Sequence, residues 1–135
     1  MKRALLMFLF VFYSLLSYAP AEKFFRIEQP EPIKPYVKLI HATGTIESSH
    51  DTLAYNSIEK ATGYFQIRPI RLKDYNKRTN NNYKLNDMFN YHIAEKIFLY
   101  YADLIGPYNF EKIAKNWNGS GPMTILYWNK VKKHL

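Results

Sequence analysis

The sequence predicts one mainly α-helical domain with a short irregular or β-hairpin segment around residues 52–67. Three observations predict it. The chain has 135 residues, 47% of them hydrophobic, which suffices for one packed core and is too short for two ordinary domains. Apolar side chains recur at helical spacing in stretches that open near Pro35, Asn86 and Pro122. Between Asp51 and Ile67 that period is lost, and a weak alternation of two replaces it.

Residues 1–21 read as a secretory signal peptide. Lys2 and Arg3 precede an apolar run from Ala4 to Leu16, and Ala19 and Ala21 have the small-residue spacing for cleavage after about Ala21. The run falls short of the roughly 20 residues of a membrane span; an uncleaved membrane anchor is the alternative. Residues 22–32, with Pro30 and Pro32, read as an extended tether. The domain is expected over 33–135.

Pro35 suits a first helical position, and Tyr36 to Glu47 reads as a helix. Tyr36, Ile40, Thr43 and Glu47 lie on one face. Glu47 thus falls at the C-terminal end of a helix, in line with its apolar stripe. Partial burial and the negative end of the helix dipole both disfavour a carboxylate there, as a general acid requires. Periodicity alone leaves a solvent-facing Glu equally open. Asp51 to Ile67 follows as irregular chain or a hairpin around Glu59 and Lys60, with Gly63 allowing close backbone approach. Pro69 restarts a helix to about Lys77, and Arg78 to Lys84 is a polar loop.

Asn86 is the expected N-cap of the longest helix, Asp87 to Leu104, whose broad apolar face places it at the centre of the domain. Gly106-Pro107 stops it. Asn109 caps a shorter helix from Phe110 to about Trp117. After the turn Asn118-Gly119-Ser120-Gly121, Pro122 opens a last helix, with Ile125, Trp128 and Val131 expected inward.

Composition narrows the function. There is no cysteine, so disulfides and thiolate metal sites are excluded. His41, His50, His92 and His134 have no metal-ligand spacing, and no metal or other cofactor is expected. The net charge is +8, from 19 basic and 11 acidic residues. A basic chain attracts polyanions, and export favours an acidic cell wall over nucleic acid. The aromatic residues recur at core spacing rather than as a stacking surface, so no nucleic-acid partner is expected.

Three ordered motifs carry a resemblance. They are Glu47-Ser48, then Ala61-Thr62-Gly63-Tyr64-Phe65-Gln66-Ile67-Arg68-Pro69, then Ala114-Lys115-Asn116-Trp117-Asn118-Gly119. In this order they resemble the lytic transglycosylase catalytic domain, the soluble type within the lysozyme-like superfamily, related to goose-type lysozyme. The resemblance covers about residues 33–134. Phe65 stands where the family has Met, Tyr64 where it has Leu, and Trp117 where it has Tyr.

The resemblance implies a lysozyme-like helical domain with a groove for peptidoglycan glycan strands, acting as a monomer in the periplasm or cell envelope of a bacterium. It implies one catalytic carboxyl, Glu47, cutting the MurNAc-β-1,4-GlcNAc bond to leave a 1,6-anhydroMurNAc end. Ser48 would orient Glu47 or the substrate, Gln66 would floor the groove, and Asn118 would hydrogen-bond near the catalytic centre. Trp117 would offer a sugar-stacking face, and Tyr101 would contact the acid. A goose-lysozyme-like hydrolase and a non-catalytic peptidoglycan-binding module of the same fold are the alternatives. Asp51 and Glu59 are the local candidates for the second carboxylate that hydrolysis would need, and Glu59 reads as part of a solvated turn. A small tethered domain also suits work beside a cell-envelope or secretion assembly.

Overall fold

A computed structural model describes residues 35–135. The expected signal peptide, the tether and the domain's start at residue 33 lie outside the described residues.

The described chain is mainly helical, with one two-stranded sheet. Helix α1 (Val37–Ser48) ends at Ser49, whose φ of 52° is left-handed. Strands β1 (Tyr55–Asn56) and β2 (Ala61–Thr62) pair antiparallel, Tyr55 opposite Thr62. Helix α2 (Pro69–Thr79) follows, then a 3₁₀ turn at Leu85–Phe89, α3 (Tyr91–Asp103), α4 (Phe110–Asn118), α5 (Met123–Val131) and a last 3₁₀ turn, Lys132–His134. No helix among the described residues is long and apolar enough to cross a membrane.

The hairpin lies where the helical period fails. Asn56 shapes its turn, its Oδ1 accepting from the backbone N–H groups of Ile58 (3.0 Å) and Glu59 (3.2 Å). A second tight loop follows directly. Thr62 and Ile67 exchange both backbone hydrogen bonds, at 3.1 and 2.9 Å, and Gly63 to Gln66 form the loop between them. Gly63 (φ +78°) passes so close to the 3₁₀ turn that a Cβ there would stand 2.0 Å from the Met88 carbonyl oxygen. The close approach expected at this glycine is therefore present.

The loop's middle residues, Tyr64 and Phe65, turn inward. Phe65 is fully buried and stacks on Phe98 of α3, ring centroids 4.7 Å apart. Trp117 of α4 meets Phe98 edge-on at 5.0 Å. This aromatic cluster joins the loop to the two helices, and α3 contributes Ala94, Ile97, Phe98, Tyr101 and Ala102 to the buried core.

Two expectations about helices need correction. The N-cap of α3 is Asn90, not Asn86: its side chain accepts from His92 and Ile93 N–H groups. Leu85 to Phe89 form a separate turn, so the long helix starts later than its apolar pattern does. On α5 the buried residues are Thr124, Tyr127 and Val131, whereas Ile125 is 53% exposed. The inward face is rotated by about one residue. Both inward hydroxyls have partners, which removes the usual penalty for burying them: Thr124 donates to the Gly121 carbonyl at 2.8 Å, and Tyr127 donates to Glu47.

Candidate active site

Glu47 is partly buried in the last turn of α1. Tyr127 Oη donates to its Oε1 at 2.7 Å. Burial pushes the Glu47 carboxyl up to about 7; the Tyr127 hydrogen bond and the Arg68 charge pull the other way, while Glu59 adds to the rise. The last turn of α1 contains no basic residue, so its free carbonyls also favour the neutral acid. Burial, with the adjacent Glu47 charge, raises the Tyr127 phenol, which stays a donor whether or not Glu47 is ionised. The solvent-facing alternative for Glu47 is thereby excluded.

The carboxyl opens on a polar cleft of about 190 Å³, lined also by Asn56, Glu59, Gln66, Arg68, Arg71, Trp117 and Asn118. Gln66, Trp117 and Asn118 are thus brought together with Glu47, as expected. Gln66 has a left-handed backbone, φ 48°. Its Nε2 donates to the carbonyls of Ala54 (3.2 Å) and Gly63 (3.0 Å). Two carbonyl acceptors fix which end of the amide is nitrogen, and Oε1 is the end left for a ligand hydroxyl.

Arg68 and Arg71 shape the far wall. Arg68 Nη2 donates to the Asn118 carbonyl at 2.9 Å. Arg71 Nη2 donates to the carbonyls of Asn116 (2.8 Å) and Trp117 (3.1 Å). Two cations thus satisfy the C-terminal carbonyls of α4, the helix end that favours positive charge. Trp117 is buried, its Nε1 donates to the Phe65 carbonyl at 3.2 Å, and Arg71 covers its ring at 4.9 Å. It is a packed wall rather than an open face for a sugar.

Two expected site residues lie elsewhere. Ser48 Oγ donates to the Tyr64 carbonyl at 2.9 Å and makes no bond to Glu47; it fastens the end of α1 to the Gly63–Gln66 loop. Tyr101 donates to Asp74 Oδ2 at 2.8 Å and to the Arg71 carbonyl at 3.2 Å. It faces α2, and Arg71, stacked over its ring at 4.6 Å, lines the cleft. The tyrosine on the acid is Tyr127. Its sequence signal is its position three residues after Thr124 and four before Val131, a face that hydropathy ranks below the one through Ile125 and Trp128. Glu59 is exposed in its turn as expected, yet it also borders the cleft.

A carboxyl holding its proton near neutrality, fixed by one donor and open to a polar cleft, is equipped to give a proton to a bound oxygen and take one back. No family model, curated protein or solved structure matches the chain.

Proposed function

We propose that the protein is an exported peptidoglycan lytic transglycosylase with Glu47 as its acid and base. The observation that carries this reading is the Glu47 carboxyl, raised to about 7 and held by Tyr127 at the edge of the cleft. The ordered motifs around Glu47, Gln66 and Asn118 supply the substrate class. Glu47 gives its proton to the glycosidic oxygen as the bond from that oxygen to the muramoyl anomeric carbon breaks. The muramoyl C6 hydroxyl oxygen then bonds to that carbon, and its proton returns to Glu47. No water is consumed. Acid–base catalysis of this kind contributes about 10²–10⁴-fold; the cleft walls supply positioning.

Purified peptidoglycan is digested with the protein and the released muropeptides are weighed. Anhydro ends are expected from wild type, and their loss by at least about 10²-fold from Glu47→Gln. Normal cutting by that variant would sink the site assignment. One observation favours a second reading. Glu59 borders the same cleft, so a water activated there would make the enzyme a hydrolase. Reducing ends in the same digest, abolished by Glu59→Gln, would move the assignment to it.

A further inference from the structure

The cleft carries more positive charge than a neutral sugar needs. Two guanidiniums, Arg68 and Arg71, face two carboxyls, Glu47 and Glu59. Burial disfavours the Glu47 anion, so the two cations are not fully balanced by the two carboxyls near neutrality. The two arginines are not equally committed. Arg71 is bonded to two carbonyls of α4 and stacked over Tyr101 and Trp117. Arg68 spends only one N–H of Nη2, on the Asn118 carbonyl. Its Nη1 stands 4.0 Å from Glu59 Oε1, beyond a hydrogen bond, and the side chains are 37% and 55% exposed. Such exposed pairs hold weakly. Nε, Nη1 and the second N–H of Nη2 therefore have no hydrogen bond among the described residues, which leaves one parallel donor pair, Nη2 with either Nη1 or Nε, on the rim of the cleft that contains Glu47.

We propose that Arg68 recognises a carboxylate carried by the glycan substrate. The proposal rests on the peptidoglycan reading above. A guanidinium fork fits a carboxylate with two parallel hydrogen bonds, a geometry that a neutral hydroxyl cannot match. Muramoyl strands carry carboxylates in two places: on the lactyl ether where the peptide stem has been removed, and on the stem itself where it remains. A carboxylate at Arg68 has a second effect. The Arg68 charge pulls against the proton on Glu47; a bound anion offsets that pull, so the acid is more fully protonated with substrate in place than without it.

The test compares four substrates for the full-length protein: strands stripped of stems, strands bearing stems, and each of these with its carboxyl groups converted to amides. Wild type is expected to favour the carboxylate form by about tenfold in kcat/KM, the yield of one charge-assisted contact. The preference should shrink as salt rises. In Arg68→Gln the ratio between carboxylate and amide forms should collapse toward one, and Arg68→Lys should restore part of it. A purely structural loss slows both forms and leaves their ratio unchanged, so the ratio separates the two roles. A preference confined to stripped strands assigns the lactyl carboxylate; one confined to stem-bearing strands assigns the stem. Equal rates on both forms by wild type overturn the proposal while leaving the glycan-cutting reading intact. A wild-type preference that survives in Arg68→Gln removes Arg68 from the role. Failure to cut any of the four overturns both readings.

Discussion

At the scale of single residues, burial of the Glu47 carboxyl costs stability at neutral pH. Its folded pKa of about 7 lies above the ordinary 4.5. Between those values the folded chain binds more protons than the unfolded one, so stability falls as pH rises through that window. The shift corresponds to about 3 kcal/mol. Glu47→Gln keeps the acceptor for Tyr127 and cannot ionise. Its melting temperature is expected to match wild type near pH 4 and to exceed it at pH 8; parallel melting curves across that range would show that the carboxyl is not perturbed. For Glu47 in the proposed role of acid, the alkaline limb of activity is expected near pH 7, where the carboxyl loses its proton. Tyr127→Phe removes the hydrogen bond that favours the carboxylate. Its expected effects are an upward shift of that limb and a fall in kcat of about tenfold through looser positioning. A pH–rate profile of the variant measures both.

At the scale of elements, helix α1 and the Gly63–Gln66 loop are fitted through a glycine. A Cβ on Gly44 would stand 2.2 Å from the Tyr64 ring, and that ring is buried and bonded through its hydroxyl to His50 at 2.7 Å. An alanine in a helix interior ordinarily stabilises by up to about 1 kcal/mol over glycine. Here the sign is expected to reverse: Gly44→Ala should cost about 1–3 kcal/mol in urea unfolding, because Tyr64 must move. A stabilised variant would contradict the packing. The sequence made the helix end at Glu47 legible, along with the hairpin and the close approach at Gly63, because period and glycine chemistry are local signals. It misplaced the partner of the acid. Tyr101 and Tyr127 both lie on buried helical faces, and only the packing of α5 against α1 separates them. The arginine wall was equally hidden, since Arg68 and Arg71 acquire their role from carbonyls about 45 to 50 residues away in sequence. Asn90 outcompeted Asn86 as a cap because a 3₁₀ turn intervenes, which an apolar pattern does not register.

At the scale of the whole molecule, the cleft draws on segments spread along most of the described fold. Glu47 comes from α1, Asn56 from the hairpin, Gln66 from the following loop, the arginines from the start of α2 and Asn118 from the end of α4. Their common support is the cluster of Phe65, Phe98 and Trp117. Phe98→Ala, on a helix that contributes no side chain to the cleft lining, should cost about 3–5 kcal/mol. Because the cluster underlies the whole site, activity and helical signal should be lost in one transition on heating. Two separated transitions would show that the site is independent of the cluster.

The hydrogen bond from Tyr127 to Glu47 joins residues 80 positions apart. In a chain made from its N-terminus, the carboxyl emerges long before the helix that helps to bury it. In the unfolded chain Glu47 is an ordinary solvated acid, ionised at neutral pH. A proton held near neutrality is thus a property of the folded chain rather than of the residue that bears it.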